Sequence, residues 1–292
     1  MKYNIEHIYA SQSEIGEAPL WVPEEESLYW TDTQSNSIWR MRLTDGAVIR
    51  WRVSLPVTAL MRREGDGFLL VTKTGLAFWE SRTNVCELIA NPLAGRTHLS
   101  FNDGVIDRQG RLITGTMNHV KLSPPDGCLY RLDGNLTLNL LDSGLSVANG
   151  IGVSPDGKTV YLSEQFKGRI LTYDYDTESG ILGNRRVFAK LPEAEGLPDG
   201  ITVDAEGFVW NCHWGGSLIT RYTPAGKKDL QITMPVPIIA CLAFAGDGLS
   251  DLYVTTGWYG MNSKDRKKKS GAGDLFRIKT GFKGLREPRF KG

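Results

Sequence analysis

Apolar and polar residues alternate in short runs along most of the chain, and turn-forming residues separate the runs. The clearest example lies at mid-chain, where residues 150–154 alternate, the segment 155–158 reads Pro-Asp-Gly-Lys, and residues 159–163 alternate again. Alternation across a tight turn is typical of a β-hairpin. Two further runs, 169–175 and 185–191, follow after short loops. The pattern predicts four short antiparallel strands that form one small twisted sheet.

The same hairpin pattern occurs six times along the chain, each time with an apolar anchor after the turn. The anchors are Tyr29, Leu69, Leu112, Tyr161, Val209 and Tyr253, separated by 40, 43, 49, 48 and 44 positions. A repeat of this length with four strands is typical of a β-propeller blade. We therefore expect an all-β protein: a six-bladed β-propeller with four-stranded antiparallel blades around a central channel, in which residues 1–292 form a single domain. Residues 4–9 precede the first repeat and are expected to complete the last blade.

Composition argues against several classes of function, so the repeat is the main guide to the fold. The 34 Lys and Arg residues balance 33 Asp and Glu, so the net charge of +1 gives no argument for a nucleic-acid partner. No run of about 18 apolar residues predicts a membrane span, and the N-terminal residues lack the apolar segment of a signal peptide. The four cysteines form no C-x-x-C pair. We expect a cytoplasmic protein, either a monomer or a weak homodimer.

Four of the six repeats place an oxygen-bearing side chain just before the inner strand. Counted back from the anchors by 12, 10, 12 and 10 positions, these residues are Glu17, Asn102, Asn149 and Asp199. The innermost strands of a propeller surround one axis, so the four side chains are expected to meet at the mouth of the channel. Carboxylate and amide oxygens favour calcium, magnesium or manganese over zinc. The alternative is that the Asn and Asp residues before glycine only form turns.

Several motifs resemble those of the senescence marker protein / gluconolactonase / regucalcin family over about residues 14–260. They are Gly16-Glu17-Ala18-Pro19-Leu20-Trp21, Phe101-Asn102-Asp103-Gly104, Gly115-Thr116-Met117, Asn149-Gly150, Asn184-Arg185-Arg186, Pro198-Asp199-Gly200 and Trp214-Gly215-Gly216. The resemblance implies a six-bladed propeller that hydrolyses sugar lactones with one divalent cation.

The resemblance also assigns roles to individual residues. It implies that Glu17, Asn149 and Asp199 bind the metal, that Asp199 is also the general base, and that Asn102 contacts water or substrate. Calcium is favoured, with zinc, magnesium or manganese as alternatives. Further residues are candidates for substrate contact: Asp103, Ser100, His119 and Trp214.

Two positions depart from the animal members of the family. Ser100 stands where those proteins have an arginine, and Val120, next to His119, aligns with a glutamate. We therefore expect a different sugar. A basic run at 264–269 could recruit an acidic lactone, such as a uronic, phosphorylated or sulfonated sugar, or could be a solvated loop. The basic residues expected to assist it are Lys73, His119, Lys121 and His213.

The leading interpretation is a metal-dependent hydrolase that opens a sugar lactone in carbohydrate catabolism. Its partner is a small-molecule sugar lactone, with no role for nucleic acid or membrane. Two alternatives remain open, a calcium-binding propeller without enzymatic activity and a related calcium-dependent esterase. A scaffold has no need for polar groups at the channel mouth, which favours the enzyme.

Overall fold

The structure, a computed structural model, describes residues 3–292, and these residues are almost entirely β-strand and turn. In chain order the strands are β1 (Ile5–Tyr9), β2 (Gly16–Val22), β3 (Ser27–Asp32), β4 (Ser37–Arg42), β5 (Val48–Arg52), β6 (Val57–Arg62), β7 (Phe68–Thr72), β8 (Gly75–Glu80), β9 (Val85–Ala90), β10 (Leu99–Ile106), β11 (Leu112–Asn118), β12 (Gly127–Leu132), β13 (Leu138–Leu145), β14 (Ala148–Val153), β15 (Thr159–Glu164), β16 (Arg169–Tyr175), β17 (Leu182–Lys190), β18 (Leu197–Val203), β19 (Val209–Trp214), β20 (Leu218–Tyr222), β21 (Lys228–Thr233), β22 (Ile238–Ala245), β23 (Asp251–Gly257) and β24 (Leu275–Lys279). A short helix, α1 (Ser263–Lys268), lies between β23 and β24.

The strands pair with their sequence neighbours, as the hairpin pattern predicts. Strands β2 to β5, β6 to β9, β10 to β13 and β14 to β17 form four separate four-stranded antiparallel sheets. The other eight strands form one sheet in the order β1-β24-β23-β22-β19-β20-β21, with β18 paired to β19. The all-β class is therefore confirmed.

The prediction of six four-stranded blades is wrong, because the structure has four such sheets and one eight-stranded sheet. The eight-stranded sheet arises where Trp214 at the end of β19 pairs with Ile238 at the start of β22. Hairpin patterns report pairing within a repeat. Pairing between two repeats depends on how close their strands lie in space, which the pattern does not encode.

The first strand of each four-stranded sheet, together with β18 and β22, surrounds a central channel. Neighbouring sheets pack face to face through apolar side chains. Between the first two sheets, for example, Tyr29 contacts Phe68 at a ring distance of 4.8 Å, and both are buried. Burial of this kind supplies most of the stabilising free energy of a fold without long helices.

Both ends of the chain are fastened to other repeats. Strand β1 pairs antiparallel with β24, which confirms that the N-terminal strand completes the last sheet. At the other end, Phe290 is fully buried and donates its backbone N–H to the carbonyl of Arg62 at 2.9 Å. Lys291 donates to Gly110 at 2.9 Å. The segment after β24 therefore crosses one end of the channel, and we call that end the lower end.

Candidate active site

Every strand that lines the channel contains a β-bulge at the same level. The register shifts lie between Glu17 and Leu20, Val57 and Ala59, Phe101 and Gly104, Asn149 and Ile151, Pro198 and Ile201, and Ile239 and Cys241. A bulge inserts an extra residue and re-aims the side chains beside it. The residues selected by counting from the anchors therefore all lie at or beside such a bulge.

A cavity of about 420 Å³ opens at the upper end of the channel. All four side chains of the predicted oxygen cluster line it: Glu17, Asn102, Asn149 and Asp199. Three of the predicted substrate contacts also line it: Ser100, His119 and Trp214. The volume falls in the range of small-molecule sites, about 300 to 1,000 Å³.

Asp103 does not line this cavity. Its carboxylate accepts a hydrogen bond from the backbone N–H of Gly104 at 2.7 Å, and the residue lines a smaller cavity of about 70 Å³ together with Glu287. The prediction that Asp103 contacts the substrate is therefore not supported by its position. The bulge at Phe101 turns Asn102 and Asp103 toward different cavities.

Asp199 lies at the centre of a hydrogen-bond network. Its side chain is buried, with Oδ1 accepting from Asn149 Nδ2, while Oδ2 has no hydrogen-bond partner among residues 3–292. The Asn149 amide also donates to Oε1 of Gln165 at 3.3 Å. The backbone carbonyl of Asp199 accepts from Ser163 Oγ at 2.6 Å and from Asn211 Nδ2 at 3.0 Å. The bulge that carries Asp199 is thus fixed from two neighbouring strands.

Gly150 allows this arrangement because it has no side chain. A Cβ atom at this position would lie 2.0 Å from the carbonyl oxygen of Asp199, and the residue has a φ of +31°. Both the close approach and the positive φ exclude other residues. The Asn149-Gly150 pair is therefore required by the contact between β14 and β18.

Three carboxyl groups near the bulges, those of Glu17, Asp103 and Asp199, form no ion pair within the described residues. Burial raises the pKa of Glu17 to about 8, and repulsion from Asp103 adds to the effect. Burial raises the pKa of Asp103 to about 6. Burial, followed by repulsion from Glu17 and Asp103, also raises the pKa of Asp199 well above its usual range. A cation bound in the cavity would favour the ionised forms of Glu17 and Asp199, because its charge offsets their repulsion.

The donor atoms fit a hard divalent cation rather than a zinc site. Within residues 3–292, no three His, Cys, Asp or Glu side chains form a metal-binding group. A cation here would need amide oxygens beside the carboxylates of Glu17 and Asp199, as calcium accepts. The unpartnered Oδ2 of Asp199 is the buried atom that such an ion would satisfy.

Several basic residues expected near the site lie elsewhere. The run at 264–269 belongs mainly to α1 and does not line the cavity. Lys121 is exposed and outside the cavity, and His213 is buried with Nδ1 hydrogen-bonded to the carbonyl of Glu195 at 2.8 Å. Of this group, only Lys73 and His119 line the cavity within the described part of the chain.

The structure adds cavity residues that the sequence analysis did not select. Gln165 and Phe166 lie in the short turn between β15 and β16, which the sequence analysis treated only as a connection. Tyr259 follows β23 and lies 6.4 Å from the Trp214 ring. Their position in the repeat could have identified them, because all three lie in loops between the second and third strands of a repeat.

The structure and its site define a propeller-like protein with a partly buried cluster of acidic and amide side chains at the channel mouth. Residues 15–258 match the SMP-30/Gluconolactonase/LRE-like region. The chain is 32% identical to the pentonolactonase XacC of Haloferax volcanii over 95% of this chain and 94% of that protein. It is 31% identical to the L-arabinolactonase of Azospirillum brasilense over 97% and 94%. The chain belongs to the SMP-30/gluconolactonase/LRE-like family.

A solved structure agrees with this assignment. The calcium-binding protein regucalcin from Agrobacterium tumefaciens superimposes with a TM-score of 0.94 at 25% sequence identity, covering 99% of this chain and 98% of that one. The family resemblance noted from the motifs is confirmed. Across residues 3–292, no helix is long and apolar enough to cross a bilayer.

Proposed function

We propose that this chain is a lactonase that opens a sugar lactone to the corresponding sugar acid in carbohydrate catabolism. The observation that carries the proposal is a cavity of about 420 Å³ lined by the carboxyl groups of Glu17 and Asp199, neither of which forms an ion pair within residues 3–292. The lactonase names of two relatives over nearly the full chain support the enzyme class predicted from the motifs.

Glu17, Asn149 and Asp199 are the residues that would hold one divalent cation. Such an ion polarises a carbonyl oxygen and stabilises the negative charge that develops on it during ester hydrolysis. The oxygen-only donor set favours calcium, and the calcium-binding description of the Agrobacterium regucalcin supports that choice.

Asp199 is suited to accept the proton of the attacking water. It lines the cavity, so a water molecule next to a bound lactone can reach its carboxylate. Attack of the water oxygen on the lactone carbonyl carbon forms one C–O bond, and the ring C–O ester bond then breaks. The proton taken from water passes to the ring oxygen, so the product is a hydroxy acid.

Other cavity residues are available to bind the sugar in this proposal. Asn102 donates one amide N–H to the carbonyl of Ala148 at 3.2 Å, which fixes the side chain and leaves its oxygen for a substrate hydroxyl. Phe166, Trp214 and Tyr259 also line the cavity, and a sugar ring can pack against aromatic side chains. These residues are positioned by the protein without any contribution from the ion.

A panel of lactones measured by pH-stat tests the proposal. Neutral pentono- and hexonolactones should be hydrolysed in the presence of calcium, magnesium, manganese or zinc, and activity should fall to the uncatalysed rate after exhaustive chelation and return when a metal is restored. Full turnover after complete metal removal would refute the metal-dependent mechanism. Calcium binding without turnover of any lactone would favour the non-enzymatic alternative.

A further inference from the structure

A lysine lies in the cavity beside the second repeat, one of the two repeats that contribute no residue to the oxygen cluster. The inner strand of the second sheet contributes Thr58 rather than a carboxylate or an amide, and the Thr58 hydroxyl already donates to the carbonyl of Val71 at 3.1 Å. Lys73, in the turn between β7 and β8 of the same sheet, lines the cavity and is half-buried. The second sheet therefore contributes a positive charge to the cavity in place of a metal ligand.

The backbone of Lys73 is held by two neighbouring segments. Its N–H donates to the carbonyl of Pro56 at 2.8 Å, and its carbonyl accepts from the N–H of Phe101 at 3.3 Å. The turn is closed by Thr72, whose hydroxyl donates to the carbonyl of Gly75 at 2.8 Å. The Lys73 side chain therefore extends from a fixed base, which limits the positions of its ammonium group.

Lys73 has no carboxylate partner within residues 3–292. Burial lowers its pKa, and the charges of Asp32 and Glu14 act on it in the opposite direction without forming an ion pair with it. Asp32 is engaged elsewhere, because its carboxylate accepts from Ser35 Oγ at 2.7 Å. A half-buried ammonium group without a carboxylate partner favours a ligand that supplies the missing negative charge.

Ser100 provides a second, independent feature of the same part of the cavity. Its side chain is 1% exposed, lines the cavity, and carries a buried hydroxyl with no hydrogen-bond partner in the described residues. Ser100 directly precedes Phe101, the residue whose N–H binds the Lys73 carbonyl. A cation and a free hydroxyl donor are thus carried on adjacent, hydrogen-bonded segments.

We propose that Lys73 and Ser100 form a subsite for an anionic substituent of the lactone, and that the enzyme prefers sugar lactones carrying a carboxylate, phosphate or sulfonate group. The inference rests on the proposed lactonase function and names its substrate class. All three groups present oxygens that accept from an ammonium and a hydroxyl, and hydrogen bonds to charged groups are the stronger ones. Discrimination arises because a neutral lactone leaves both donors without a partner.

The test compares kcat/KM for matched neutral and anionic lactones that share one sugar configuration, with separate carboxylate, phosphate and sulfonate members. The wild-type protein should prefer at least one anionic member. Lys73→Met should reduce the preference ratio by about 10- to 100-fold, mainly through KM, and Ser100→Ala should reduce it less. Lys73→Arg should retain part of the preference. Lys121→Met is the matched control, since Lys121 is an exposed lysine outside the cavity, and it should leave the ratio unchanged.

The outcomes separate this inference from the proposed function. Hydrolysis of neutral lactones with equal or greater efficiency, and an equal effect of Lys73→Met on both classes, would refute the anion subsite while leaving the lactonase intact. If no lactone is hydrolysed, the lactonase proposal fails, and the subsite is tested by binding of non-hydrolysable lactams that carry or lack the anionic group. Equal affinity for both lactams in the wild-type protein would then overturn the subsite as well.

Discussion

Replacing Glu17 by glutamine should stabilise the metal-free protein at alkaline pH, although the residue belongs to the proposed metal site. The pKa of the Glu17 carboxyl rises from its ordinary value of 4.5 to about 8 in the folded protein. Between these pH values the folded protein holds a proton that the unfolded chain has released. The free energy of unfolding contributed by this group therefore falls as the pH rises from about 4.5 to about 8.

The magnitude follows from the size of the pKa shift. One pKa unit corresponds to about 1.4 kcal/mol, so the rise from 4.5 to about 8 costs the folded, metal-free protein at most about 5 kcal/mol above pH 8. Part of this cost is shared with Asp103, whose charge contributes to the shift. For a chain of 292 residues, 5 kcal/mol corresponds to roughly 8 °C in Tm. Glu17→Gln removes the charge and keeps the shape of the side chain.

The assay is thermal unfolding in a strong chelator between pH 5 and pH 9. The difference in Tm between Glu17→Gln and the wild type should be small near pH 5 and grow to several degrees in favour of the variant at pH 8 to 9. With added calcium the wild type should have the higher Tm, because only the wild type keeps the full ligand set. A pH-independent difference, or a variant less stable than the chelated wild type at pH 9, would refute this reasoning.

Glu164 provides the matched control. Its carboxylate is buried, with 1% exposure, and it accepts from Nε of Arg169 at 2.6 Å and from the N–H of Ser146 at 3.2 Å. Glu164→Gln leaves Arg169 without its charged partner and should destabilise the protein. Opposite signs for the two variants would show that the charge environment, and not burial alone, determines the effect.

Two further predictions concern the inner strands around the cavity. Asp199→Asn should lower kcat for any lactone that the wild type hydrolyses by at least about 10³-fold, because it removes both a charged ligand and the proton acceptor, while circular dichroism should show the fold retained; activity within tenfold of wild type would exclude Asp199 as the base. Gly150→Ala should destabilise the protein by several kcal/mol, since the new Cβ would lie 2.0 Å from the Asp199 carbonyl, and a Tm within about 1 °C of wild type would contradict the required contact between β14 and β18.

Residue patterns determined the local structure of this protein. Alternation and turn residues identified the strand class throughout, and the segment predicted at 169–175 is the strand Arg169–Tyr175. Counting from the anchors also selected Glu17, Asn102, Asn149 and Asp199, which all line one cavity. Strand pairing within a hairpin is a local property, and the four residues share one cavity because the bulges occur at equivalent positions of the repeats.

Only the tertiary structure decided which side chains share an environment. Pairing of Trp214 with Ile238 joined two repeats into one sheet, and the bulge at Phe101 sent Asp103 to a different cavity from Asn102. The tertiary structure also decided which charges enter the cavity. Lys73 and Lys121 look alike in sequence, but of these two only Lys73 lies in the cavity. Burial, repulsion and the absence of a partner are properties of three-dimensional neighbours, and a sequence read strand by strand does not contain them.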